Sequence, residues 1–122
     1  MTAKDVAMKL VELCRQGKFL EAIDTLYAKD IVSVEPMAMP PMPAEMRGID
    51  AVRGKTTWWI NTHEVHNLTV VGPFINGERF IVNFDMDVTN KPTGKRTVMF
   101  ESGLYTVANG KVAREDFFYQ AS

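Results

Sequence analysis

The apolar positions of this chain change period once, from helical spacing in the first half to alternation in the second. Val6, Leu10 and Leu13 recur at helical spacing, Thr2 with Asp5 three residues on is a shortened capping box, and Gly17 supplies a left-handed stop. Phe19, Ile23 and Leu26 continue at i, i+4 and i+7 with Glu21 and Asp24 on the wet side. The chain therefore opens with a helical hairpin turning at Gln16-Gly17-Lys18. Ile31 to Glu35 is short and β-branched and is ended by Pro36, which predicts a strand. Met37 to Met46 carries Pro40, Pro41 and Pro43 among four methionines, so no regular structure is expected there. Its soft apolar side chains either plug the open end of the core or form a lid over a ligand. A third helix is predicted over 49–60, with Ile49, Val52, Thr56 and Trp59 on one face and Arg53 and Lys55 off it.

Four β runs follow: His66 to Val71, Phe80 to Val88, Thr97 to Val107 and Lys111 to Tyr119. Asn76-Gly77 and Asn109-Gly110 are the residues that tight hairpins need, because those turns require positive φ. Helix, helix, strand, helix and then a meander predicts an α+β fold. Three helices would pack on a strongly curved antiparallel sheet, forming a cone with an internal pocket, in a single domain spanning 1–122.

Alternation then selects the side chains that reach such a pocket. One face of the second β run presents Phe80, Val82, Phe84 and Met86, while Asn83, Asp85 and Asp87 share the other. The last run places Glu115, Phe117 and Tyr119 on one face and Val112, Arg114, Asp116 and Phe118 on the opposite one. On 97–107 both faces are largely apolar. We favour the face with Glu101 and Tyr105 as the inward one, because Gly103 on it lets the sheet bend around a cavity. His66 shares parity with Leu68 and Val70, and Trp59, Met39 and Met42 complete the expected lining.

Composition and charge remove several function classes. The 122 residues are 46% hydrophobic and 24% charged, with a net charge of −1 and no basic block, so nucleic acid is not an expected partner. No apolar run is long enough to span a bilayer, and a single cysteine, Cys14, fits a reducing compartment, so a cytoplasmic location without membrane contact is expected. No glycine-rich phosphate loop is present. His63 and His66, three apart on a strand, point to opposite faces and cannot share a metal, so neither a metal nor another cofactor is expected.

The order of elements and its turn positions resemble the fold of nuclear transport factor two, scytalone dehydratase and ketosteroid isomerase, and more narrowly the SnoaL-like polyketide cyclases. The residues that carry the likeness are Gln16-Gly17-Lys18 to Tyr27, Gly48-Ile49-Asp50-Ala51-Val52, Phe80 to Asp87, and Asn109-Gly110-Lys111-Val112 through Phe117-Phe118-Tyr119. In the isomerase the base, an aspartate, stands just before a proline, so the resemblance implies Glu35 before Pro36 as general base. It also implies that the residue after Gly110-Lys111-Val112 points inward, on the face with Glu115 and Tyr119. The isomerase's oxyanion donors fall near Leu10 and near Ser102 or Gly103, which departs from its pattern, and the Asp-Arg-Asp group of limonene-type epoxide hydrolysis is not matched.

These readings converge on a protein that takes a small, largely apolar, carbonyl-bearing molecule and works by cofactor-free acid/base chemistry of the isomerase, cyclase or dehydratase type. Glu35, Glu101, Glu115, His66 and Tyr119 are the candidate catalytic residues. The competing reading is a non-catalytic ligand-binding or dimerisation module of the same fold. The sheet's outer face, with Ile81 beside Asn83 and Asp85, and Val112 with Phe118 beside Arg114, suggests a homodimer.

Overall fold

A computed structural model describes residues 1–120. Helix α1 (Ala3–Arg15) starts at the expected capping box: Asp5 N–H donates to the Thr2 hydroxyl and Thr2 N–H to the Asp5 carboxylate, both over 3.1 Å. It ends at Gly17, whose φ of 72° lets Gly17 N–H reach the Cys14 carbonyl and Lys18 N–H the Leu13 carbonyl. Helix α2 (Phe19–Leu26) follows at once and buries Ala22, Ile23 and Leu26. Val6, Leu10 and Val11 of α1 are buried with them, each worth about 1.5–3 kcal/mol relative to exposure for a side chain of this size.

The six strands are β1 (Tyr27–Val34), β2 (Glu45–Arg47), β3 (His63–Asn76), β4 (Arg79–Asn90), β5 (Lys95–Ala108) and β6 (Lys111–Phe118), with α3 (Ile49–Thr62) between β2 and β3. They form one sheet in the order β2-β1-β6-β5-β4-β3. The sheet is mixed and not wholly antiparallel: β1 runs parallel to β6, because the segment holding β2 and α3 returns the chain to the far edge. The long strands reach further than their apolar runs suggest, since polar residues at their ends still pair across the ladder. The β5–β6 hairpin turns on Asn109 (φ 53°) and Gly110 (φ 74°), as expected. The β3–β4 hairpin turns one residue later than Asn76-Gly77, on Gly77-Glu78, so only Gly77 takes positive φ.

Interrupted registers set the faces of the sheet. Val65 opposes Val88 and Asn67 opposes Asp87, leaving His66 as the extra residue of a bulge. In β6, Val112 opposes Val107 but Arg114 opposes Thr106, so Ala113 is extra. Val112 is therefore buried in the core, which corrects its expected place on the outer face with Arg114 and Phe118. Inside, Phe80 and Val82 belong to the buried core that also holds Val6, Leu10 and Ile23. The Met37–Met46 stretch is more ordered than expected: Met39 and Met42 exchange backbone hydrogen bonds, Glu35 N–H donates to the Ala44 carbonyl, and residues from Glu45 pair with β1.

Candidate active site

Between the sheet and the helices lies a cavity of about 170 Å³, room for a molecule of monocyclic size. Its apolar wall includes Phe19 and Ile23 of α2, Trp58 and Trp59 of α3, and Phe84 and Met86 of β4. Met39 of the Met/Pro stretch also lines it, whereas Met42, paired with Met39 across the Pro40-Pro41 turn, does not. Phe80 and Val82 lie deeper, fully buried, and are core residues where the alternation predicts pocket lining.

Polar groups collect at one place on this wall. Glu35 follows β1, Glu101 and Tyr105 come from β5, and Glu115, Phe117 and Tyr119 come from β6 and its end; all of them border the cavity. The face of β5 with Glu101 is thus the inward one. Gly103 shows why: a Cβ there would stand 2.7 Å from the Tyr105 ring, so only glycine leaves that ring its place, stacked 5.0 Å from Phe80.

Three further residues complete the cluster, and alternation alone did not bring them forward. Tyr27, first residue of β1, donates its hydroxyl to Glu115 Oε2. Ser33 Oγ donates to Glu115 Oε1 over 2.8 Å and accepts from Lys55 Nζ over 2.6 Å. Lys55 Nζ also lies 3.5 Å from Glu35 Oε1 and 5.5 Å from the centre of the Phe117 ring. Lys55 is only 6% exposed, which corrects its expected place off the inward face of α3. The signal was present: Val52, Lys55 and Trp59 stand at i, i+3 and i+7. Tyr27, Ile31, Ser33 and Glu35 likewise share parity along β1.

Burial and mutual repulsion govern the protons of this cluster. Burial raises the Glu101 carboxyl to about 7; Glu35 and Glu115 add to the rise, and Lys55 opposes it. Burial also raises Glu115, against the Tyr27 and Ser33 hydrogen bonds and the Lys55 charge. Tyr119 is pushed above the ordinary phenol range by burial and by Glu35 and Glu101, and the buried Cys14 thiol at the cavity wall is pushed up to about 12. Glu35 Oε2 is buried without a hydrogen-bond partner.

His66 is not part of this site. The bulge turns it outward, where it is exposed and its Nε2 lies 2.7 Å from the Thr89 hydroxyl. His63 stacks on Trp59 at 4.5 Å, with its Nδ1 close to the Trp59 carbonyl. Among the described residues, no group of three or more His, Cys, Asp and Glu side chains could hold a metal ion. Nor, among them, is any helix long and apolar enough to cross a membrane.

Comparison with known proteins places this architecture. A crystal structure from Mesorhizobium loti, described as a candidate SnoaL-like polyketide cyclase, is 44% identical, with a TM-score of 0.92, and the match covers 98% of this chain and 100% of that one. A candidate isomerase from Bacillus subtilis superposes with a TM-score of 0.80 at 13% identity, covering 98% of this chain and 90% of that one, which is a likeness of fold alone. A candidate SnoaL-like polyketide cyclase from Jannaschia sp. CCS1 does so with a TM-score of 0.72 at 14% identity, covering 93% and 86%. No curated protein matches the chain. The profile of the SnoaL-like domain matches residues 1–119, and the chain belongs to the SnoaL-like family.

Proposed function

We propose that this chain is a cofactor-free acid/base enzyme acting on a small, largely apolar carbonyl compound, of the isomerase, cyclase or dehydratase kind. The observation that carries the proposal is Glu101, whose carboxyl borders an apolar cavity with its pKa raised to about 7. A group titrating there is present in both forms near neutral pH, as proton transfer in both directions requires. Ionised, Glu101 takes a proton from the carbon beside a carbonyl; protonated, it returns one to another atom of the same molecule. Glu35, the base that the family resemblance implies, is tied to Lys55, which leaves Glu101 the freer of the two. The Lys55 ammonium offsets charge that grows on the carbonyl oxygen, and Tyr119, held protonated, is a second donor at the cavity. Trp59, Phe84, Met86 and Phe117 suit an apolar body and keep water from the reacting carbon.

Phenylacetone in D2O tests this reading. Loss of its α-proton signals should be faster with the protein than without it, and Glu101→Gln should slow that exchange by about 100-fold or more. Quenching of Trp58 and Trp59 by phenylacetone with no exchange above the solvent rate would instead make the chain a binding module.

A further inference from the structure

In the acid/base reading Lys55 contributes only charge, yet its amine is a buried nucleophile at the cavity wall. We propose that Lys55 forms a Schiff base with an aldehyde or ketone that enters the cavity. This rests on the reading of the cavity as a carbonyl site and adds a covalent mode to it.

Placement sets this amine apart. The chain has eight lysines, and the other seven are exposed. Lys55 is held one turn beyond the buried Val52, with Nζ beside the Phe117 ring and the apolar wall around it. Cys14, the other nucleophile of the cavity, is kept as a thiol by its burial, which leaves the lysine for a carbonyl carbon.

Two of the groups that imine formation needs lie at Nζ, Glu35 and Ser33, and Glu101 borders the same cavity. Glu35 Oε1, 3.5 Å away, takes one proton from the ammonium, and the freed nitrogen lone pair bonds to the carbonyl carbon. Glu101 gives a proton to the carbonyl oxygen and takes one back from the nitrogen, leaving a neutral carbinolamine. Glu35 then returns its proton to the hydroxyl group, water departs, and the nitrogen lone pair closes the C=N bond. One ammonium hydrogen leaves in the water through Glu35, a second replaces the proton that Glu101 gave to that water, and the third stays on the iminium nitrogen. The positive charge stays where it began, beside Glu35 and with Ser33 Oγ still placed 2.6 Å away to accept the remaining N–H. The ion pair that orders the resting site therefore also matches the covalent product.

The test is reductive trapping with benzaldehyde, which has no α-proton and so does not depend on proton abstraction from carbon. The intact protein is incubated with an equimolar amount and cyanoborohydride at neutral pH, then digested and mapped by mass spectrometry. Confinement beside the amine raises the effective carbonyl concentration, so benzylation of Lys55 should exceed that of any exposed lysine by about tenfold or more. Excess benzyl alcohol should suppress labelling at Lys55 and leave the exposed lysines unchanged. Labelling of Lys55 no greater than theirs, or insensitive to benzyl alcohol, overturns the proposal. The comparison is made within the wild-type chain, so no variant has to fold. Phenylacetone exchange that persists without trapping would leave the acid/base reading standing alone, and trapping without exchange would do the reverse.

Discussion

Tyr27 and Glu115, 88 residues apart in sequence, meet inside the protein, where the phenol donates to the carboxylate of a residue only 3% exposed. The parallel pairing of β1 with β6 makes this contact, and it places Ser33 and Lys55 on the other oxygen's side. A buried carboxylate with both oxygens satisfied is a fixed point around which Glu35 and Glu101 are arranged.

Tyr27→Phe removes one donor and leaves Glu115 Oε2 buried without a partner. We expect a loss of about 1–3 kcal/mol in urea unfolding at neutral pH and a further rise of the Glu115 pKa, because that hydrogen bond favours the charged form. A variant as stable as the wild type would show that the contact holds nothing in place.

Lys55→Met removes the positive charge from among three carboxyls. The Glu101 pKa should move above 7, since Lys55 is the group that lowers it. Stability at neutral pH should fall by about 3–5 kcal/mol, as expected when one partner of a buried pair is deleted. An unchanged Glu101 titration would place the ammonium elsewhere.

The cavity's charge also fixes the direction of pH-dependent stability. The Glu101 carboxyl has a folded pKa of about 7 against an ordinary 4.5, so the folded state holds a proton that the unfolded chain has lost. The stability tied to it is fully present below pH about 4.5 and is lost as pH rises through about 7, amounting to about 3 kcal/mol. Glu101→Gln should therefore unfold at higher urea than the wild type at pH 8 and at similar urea at pH 4. A difference that does not change with pH would contradict the burial of this carboxyl.

Alternation grouped the residues of each strand by face, Gly103 chose the face of β5 with Glu101, the family resemblance chose the face of β6 with Glu115, Phe117 and Tyr119, and all four of these side chains border the cavity. What escaped did so for local reasons. Bulges at His66 and Ala113 reverse the parity on either side, moving His66 out and Val112 in. Lys55 escaped because a lysine on a weakly patterned helix reads as solvated, although its spacing from Val52 put it on the buried face. The parallel β1–β6 pairing is a long-range contact that no local pattern announces.

Gly103→Ala tests the fit that shapes the cavity. The added methyl would stand 2.7–3.0 Å from two ring carbons and the hydroxyl of Tyr105, whose ring packs against those of Phe80 and Phe117. We expect a loss of about 1–3 kcal/mol, typical of overpacking, and shifted ring resonances for Tyr105. A neutral substitution would mean that the ring has room to move.

The outer face of the sheet is where we expect a second copy of the chain. Phe100, Phe118 and Val98 are 66%, 57% and 55% exposed there, among Asp85, Asp87, Arg96 and Arg114, so the patch carries both charge signs and can complement itself. Sedimentation at micromolar concentration should find a dimer, and Phe100→Glu should give a monomer. Wild-type monomer alone would remove this expectation.

The carboxyl titration of Glu101 tests the central claim most directly. With 13C-labelled glutamate, the Glu101 carboxyl resonance, assigned through Glu101→Gln, should move with a midpoint of about 7, and that of Glu115 should titrate above 4.5. Midpoints of about 4.3 for both, the value of a solvated glutamate, would contradict a buried acidic cluster and with it the acid/base enzyme.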